Sequence, residues 1–135
     1  MSEELAKVLV VGLPTSPAAA REHVDALLHA QLVPGSEGTR DDIVWADALL
    51  VTSELVTNAF RHGGGLTGFS ARIQGDELLL AVADGSPDFP VNRRQPPDQY
   101  TVGGYGWPMV NRLTKSLSVT STASGKCIEA VVHLV

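Results

Sequence analysis

Residues 53–64 read Ser-Glu-Leu-Val-Thr-Asn-Ala-Phe-Arg-His-Gly-Gly, and this stretch is the most informative part of the chain. It predicts the second half of a long helix that ends at a run of glycines. Glu54 and Asn58 are four residues apart, so a helix places both side chains on one face. One is a potential base and the other a neutral oxygen ligand, and both interrupt an apolar helix in which unpaired polar groups are costly. The pattern indicates a face that binds a ligand.

The helix is predicted from Asp41 or Asp42 to His62, and its residues divide into two faces. At about 100° per residue, a stripe about 80° wide mixes polar with aliphatic side chains, as the wall of a ligand site would. A solvated face that carries Glu and Asn by chance is the more ordinary interpretation of the helix alone. The stripe contains Ile43, Asp47, Leu50, Glu54, Asn58 and Arg61, and the predicted core face contains Trp45, Ala48, Leu49, Thr52, Val56, Ala59 and Phe60.

Length and composition describe a globular chain. Its 135 residues suit a single domain over positions 1–135, and the 44% hydrophobic and 19% charged content is typical of a folded protein. The net charge of −5, without a basic cluster, argues against nucleic-acid binding. The single cysteine, Cys127, excludes an internal disulfide and a cysteine-based zinc site.

Targeting signals are not expected either. No apolar stretch approaches the roughly 20 residues that a membrane-spanning helix needs, and the N-terminus does not resemble a signal peptide. We therefore expect a cytoplasmic domain without membrane contact.

Upstream of the long helix, the sequence predicts a strand over 7–13 and a helix that begins at Ser16-Pro17, with the serine as N-cap. That helix carries its apolar residues at helical spacing and stops near Pro34, ahead of a turn-rich connector over 34–41. Its predicted core residues are Val24, Leu27, Leu28 and Leu32.

Downstream, an alternating strand with Phe69, Ala71 and Ile73 on one face turns at Gly75-Asp76 into an apolar strand over 78–83, which is predicted to be buried on both faces. A long loop is predicted over 85–103. A short helix follows Gly106 and uses Met109, Val110 and Leu113, with Lys115 in its last turn. Two final strands, at 117–122 and 127–134, are joined by a turn at Ser124-Gly125. This order predicts an α+β fold: a two-layer sandwich with helices on one face of a mixed, mostly antiparallel sheet.

Two further motifs could bind a ligand. Asp84-Gly85-Ser86-Pro87 follows the apolar strand, where the carboxylate could accept a hydrogen bond from an exocyclic amine such as that of adenine, and the glycine allows a close approach of the backbone. Gly103-Gly104-Tyr105-Gly106 precedes the short helix, whose N-terminal amides suit phosphate. Either motif taken alone is equally compatible with an ordinary turn.

The three motifs in this order resemble the GHKL (Bergerat-fold) ATPase superfamily, and in particular its small anti-sigma-factor serine kinases of the actinobacterial type. The resemblance covers nearly the whole chain. Residues 54–63 match the N box, Asp84-Gly85-Ser86-Pro87 the G1 box, and Gly104-Tyr105-Gly106 through Val110 the G2 box.

The resemblance implies a role for each matched residue. Glu54 would be the general base, and Asn58 would coordinate the Mg²⁺ that bridges the ATP phosphates. Asp84 would accept from the adenine amino group, with Gly85 beside it, and Gly104 and Gly106 would close on the phosphates. Arg61 is assigned to phosphate or to Glu54, and the loop at about 85–105 would be the ATP lid.

Three features of the sequence depart from the family pattern. Tyr105 stands where arginine is common, which would remove one phosphate contact. Trp107-Pro108 replaces the usual leucine-led start of the helix, and Arg93-Arg94 lies in a proline-rich lid.

The implied function is a regulatory serine kinase that uses ATP and Mg²⁺ to phosphorylate an anti-anti-sigma (STAS-type) antagonist and that sequesters a sigma factor. Pairing of two copies is implied by the family alone. The alternatives are a non-catalytic GHKL module that acts by protein contact, favoured by the altered G2 box, the detached catalytic domain of a histidine kinase, and a structural α+β domain.

Overall fold

The first helix is positioned by the cap that the sequence predicts. The computed structural model describes residues 7–8, 12–32, 42–88 and 106–134. Helix α1 spans Pro17–Leu32, and the Ala19 amide donates to Ser16 Oγ at 3.0 Å. Proline at the first helical position costs no internal hydrogen bond. Val24, Leu27 and Leu28 are buried, so the predicted start of α1 and these three of its predicted core residues are confirmed.

Helix α2 spans Asp42–His62, as predicted, and glycines terminate it. The amides of Gly63 and Gly65 both donate to the carbonyl oxygen of Ala59, at 3.1 and 3.0 Å. Gly64 and Gly65 have positive φ angles of 73° and 116°, which only glycine adopts without strain. The chain can therefore leave α2 abruptly and enter the sheet.

The predicted core face of α2 is partly wrong. Val51 and Leu55 are fully buried although the prediction left them out, whereas Phe60 is 40% exposed. The buried arc is rotated towards Asn58 by about 50° at 100° per residue. The reason is tertiary: α2 contacts α1, α3, β2, β3 and β5, and these neighbours decide which side is covered. Trp45, on the α1 side, donates from Nε1 to Asp25 Oδ1 at 2.7 Å.

Five strands form one sheet in the order β1-β2-β3-β5-β4. Every described pair of neighbouring strands is antiparallel, whereas the prediction was a mixed, mostly antiparallel sheet. The predicted turn at Gly75-Asp76 is confirmed, and Gly75 has a φ of 61°. The strands are β1 Lys7–Val8, β2 Leu66–Gln74, β3 Glu77–Asp84, β4 Ser116–Thr122 and β5 Gly125–His133.

The first strand is shorter than predicted. It pairs with β2 through Lys7 and Val8, whereas Gly12 and Leu13 lie outside any strand and residues 9–11 are outside the described part of the chain. A β-branched run extends as a strand only where it has a partner to pair with, which propensity alone does not reveal.

In the part of the chain that the structure describes, the apolar strand β3 is fully buried on one face only. Leu78, Leu80, Val82 and Asp84 are buried, and the intervening side chains are half-buried. The prediction of burial on both faces is therefore wrong, because the described helices all pack on one side of the sheet. Leu79, Ala81 and Ala83 form the partly open side.

Helix α3 spans Gly106–Leu113, and Val110 is its buried residue. Lys115 lies beyond this helix: its amide donates to the Val131 carbonyl at 2.7 Å and its ammonium pairs with Glu77. The last hairpin turns at Ala123-Ser124, with Gly125 already in β5, one residue earlier than predicted. The element order is confirmed, and the two-layer α+β architecture with it.

Among the described helices, α2 alone has the length and the apolar composition that a membrane-spanning helix needs. The expectation that no stretch would qualify is wrong by this measure. The core helix of a globular protein meets the same criterion, and seven α2 residues are buried between α1, α3 and the sheet. The predicted 34–41 connector and the loop beyond Asp88 lie outside the described residues.

Candidate functional site

Glu54 and Asn58 lie at the border of the buried arc of α2, and both side chains are half-buried. They are about 6 Å apart along the helix axis, from a rise of about 1.5 Å per residue. Within the described parts of the chain, neither side chain has a hydrogen bond or an ion pair. A carboxylate and an amide oxygen are thus available side by side.

Asp84, at the end of β3, is 3% exposed, and its carboxylate accepts two hydrogen bonds. Its Oδ1 accepts from the Ser86 amide at 2.9 Å and from Lys126 Nζ at 2.9 Å. Asp84 and Lys126 are register partners in β3 and β5, so their side chains leave the sheet on the same, helix-covered face. Lys126 Nζ also donates to the Ser86 carbonyl at 3.4 Å.

The end of α2 meets the end of β3 at Gly63. A Cβ on Gly63 would lie 2.5 Å from Asp84 Oδ2 and would clash with Cγ. The Gly85 amide donates to the Gly63 carbonyl at 3.0 Å. Only glycine at position 63 lets the carboxylate rest against the backbone of α2, because any side chain would displace it.

The glycines that are crowded by other protein atoms at this end of β3 are Gly63 and Gly125 rather than Gly85. A Cβ on Gly85 would come no closer than 3.6 Å to another atom, which is ordinary contact. A Cβ on Gly125 would clash with the Asp84 carbonyl oxygen and lie 2.8 Å from Gly85 Cα. The tight positions are therefore Gly63 and Gly125, and Gly85 contributes its amide.

Helix α3 carries the described part of the third motif that the sequence singles out. It packs against α2 and begins at Gly106, so amides of its first turn lack partners within the helix. Pro108 in that first turn removes no helical hydrogen bond. Gly104, Tyr105 and Arg93-Arg94 lie outside the described residues, as does the lid from 89 to 105.

The structure thus places Asp84, at the end of β3, against the C-terminal end of the helix that carries Glu54 and Asn58. Asn58 precedes Gly63 by five residues, about 7 Å along the axis of α2. Arg61, on the same stripe, is exposed.

Lys126 is the site residue that the sequence analysis missed. The alternation in β5 puts it on the face of Ile128, Ala130 and Val132, all of which are buried. A lysine in phase with a core face was the available signal. The next residue, Cys127, points to the other face, and burial, with Glu129 and Asp84 adding to it, raises the pKa of its thiol. Cys127 is therefore not an activated thiolate.

The donors fit a magnesium ion that is held mainly by its substrate. Among the described residues, no group of three or more His, Cys, Asp or Glu side chains could hold a metal. Mg²⁺ commonly takes one or two protein oxygens and completes its shell with phosphates and water. The unpaired Asn58 amide, with Glu54 one turn away, fits that requirement.

Comparison with known proteins agrees with this geometry. Residues 13–132 match the histidine kinase-like ATPase domain family. A search of curated proteins returned no match. A similar solved structure is the histidine kinase domain of a blue-light-activated histidine kinase from Erythrobacter litoralis, with a TM-score of 0.52 and 16% identity over 98% of this chain and 68% of that chain. At that identity the similarity supports the fold, which is the GHKL ATPase fold. The chain belongs to the histidine kinase-like ATPase domain family, whose fold implies nucleotide binding.

Proposed function

We propose that this protein is an ATP-dependent regulatory serine kinase and anti-sigma factor. One observation carries the proposal: the contact between Gly63 and Asp84 puts a buried carboxylate at the end of the helix that presents unpaired Glu54 and Asn58. A carboxylate that could bind the base then lies at the end of a helix whose side could bind the phosphates, as a mononucleotide needs.

The roles follow from position and chemistry. Asp84 accepts from the adenine amino group, with the Gly85 amide holding the strand end in place. The N-terminal amides of α3, from Gly106, are proposed to bind phosphate oxygens, and the family resemblance implies the same role for Gly104. Arg61 is assigned to the phosphates or to the carboxylate of Glu54.

Glu54 is proposed as the general base. Its carboxylate takes the proton from a serine hydroxyl, the serine oxygen forms a bond to the γ-phosphorus, and the bond to the β–γ bridging oxygen breaks, releasing ADP. Mg²⁺, held by the Asn58 oxygen and the phosphates, supplies charge neutralisation when bound.

The substrate and partners are proposed from the family resemblance. The serine belongs to a STAS-type anti-anti-sigma antagonist, and a sigma factor binds when that antagonist is phosphorylated. Two copies of the chain pair, and the protein acts in the cytoplasm. The net charge of −5 supports a partner other than nucleic acid.

The test is phosphate transfer from γ-labelled ATP to a STAS-type antagonist. Glu54→Gln keeps the shape of the side chain but removes the base, and we expect transfer to fall by about 10²-fold or more, as for loss of general-base catalysis. Asp47→Asn, two turns earlier on the same stripe and also half-buried, is the matched control and should transfer at the wild-type rate. Wild-type transfer by Glu54→Gln would contradict the kinase assignment.

A non-catalytic module is the second candidate. The engagement of Asp84 Oδ1 by Lys126 favours it, because the carboxylate that should read the base already has an internal partner. Antagonist binding by the wild-type protein without any phosphate transfer would support this alternative.

A further inference from the structure

A second charged group, the ammonium of Lys126, lies beside the carboxylate that is proposed to bind adenine. Lys126 Nζ is 2.9 Å from Asp84 Oδ1, and the two side chains are only 5% and 3% exposed. The ammonium has three N–H donors, and the described acceptors, Asp84 Oδ1 and the Ser86 carbonyl, account for two. One donor of a buried cation is therefore left for a further acceptor.

Stability alone gives no reason for this ion pair. A buried pair loses hydration on both partners, and apolar residues of similar size often serve as well or better. The chain places another Lys–carboxylate pair at the opposite end of β3, between Lys115 and Glu77, and that pair is partly exposed. Burial of the pair is thus confined to the end of β3 that meets α2.

The two groups present an acceptor next to a donor. Oδ1 of Asp84 is occupied, whereas Oδ2 faces the backbone at Gly63, where α2 ends. Adenine offers the complementary edge, since its amino group donates and the neighbouring ring nitrogen N1 accepts. On the basis of the proposed nucleotide site, the geometry points to Lys126 as a base-specificity residue that donates to N1 while Asp84 accepts from the amino group.

Nucleotide analogues test each contact on the unmodified protein. 1-Deaza-ATP lacks the N1 acceptor, and purine riboside triphosphate lacks the amino group. Wild-type protein should bind each about tenfold or more weakly than ATP, the loss expected when a charged hydrogen-bonding group is left unmatched. If Lys126 only positions Asp84, purine riboside triphosphate loses affinity and 1-deaza-ATP does not, which overturns the inference.

The variant Lys126→Met links the N1 effect to this side chain. It should bind ATP and 1-deaza-ATP with equal affinity, whereas Lys115→Met, which removes the exposed lysine of the other pair, should discriminate as wild type does. Retained discrimination by Lys126→Met would overturn the inference. If the wild-type protein binds neither ATP nor the two analogues, the proposed function is instead refuted. The wild-type measurements stand even if Lys126→Met does not fold.

Discussion

Gly63 is the residue at which the two parts of the site touch. Its α-carbon leaves no room for a side chain, because a Cβ would clash with the Asp84 carboxyl group. A run of glycines after a helix is readily interpreted as a stop signal, and that interpretation is correct for Gly64 and Gly65, which have positive φ. It does not explain Gly63, whose contact is with a residue 21 positions later in the sequence.

We predict that Gly63→Ala both destabilises the fold and weakens nucleotide binding. The added methyl group must push Asp84 or the end of α2 aside, at a cost of about 1–3 kcal/mol as for other overpacked sites. Urea unfolding and ATP titration measure the two effects. Gly12→Ala is the control, since a Cβ there meets nothing within 4 Å. Equal stability of the two variants would show that Asp84 does not rest against Gly63.

Asp84 illustrates what sequence can and cannot provide for a single residue. Its place at a strand end follows from the apolar run before it, and the structure confirms that place. Its partner could not be read in the same way, because Lys126 is 42 residues away and is brought to it by strand pairing.

At the scale of elements, the helices were more predictable than the faces they bury. The Ser16-Pro17 start of α1 and the end of α2 follow from local chemistry, namely a capping hydroxyl with a first-turn proline and terminal glycines. The covered side of α2 depends on its neighbours α1, α3 and the sheet, so the prediction omitted Leu55 from the core face and wrongly included Phe60. The same dependence on neighbours explains why β3 is open on one face.

The pairing of β3 with β5 leads to a prediction about stability. Removing one partner of a buried ion pair leaves the other charge uncompensated, at a cost of about 3–5 kcal/mol. We expect costs of this size for Asp84→Asn and for Lys126→Met, and a smaller cost for the double variant than the sum of the single ones.

A double-mutant cycle followed by urea unfolding checks this coupling. The exposed pair serves as the control, and Glu77→Gln with Lys115→Met should give little coupling because water screens both groups. Additive effects of the Asp84 and Lys126 substitutions would mean that the two side chains do not act as a pair in solution.

In the molecule as a whole, the fold brings the end of β3 against the end of α2, although the two are far apart in the sequence. The Asp84 end of β3 rests against Gly63 at the end of α2, and the described part of the third motif lies on α3, which contacts α2. The order of the motifs predicts this arrangement only through the family resemblance. Composition and periodicity predict the α+β layers but not which ends meet.

The proposed site binds Mg-ATP, with Asn58 as the protein ligand of the metal. The direct measurement is ATP affinity with and without Mg²⁺, by calorimetry, for wild type, Asn58→Ala and the control Asn111→Ala, whose amide lies exposed on α3. We predict that Mg²⁺ tightens ATP binding by wild type and Asn111→Ala, and that Asn58→Ala loses this metal-dependent gain, about tenfold or more. The same Mg²⁺ dependence in Asn58→Ala and wild type would show that Asn58 does not hold the metal.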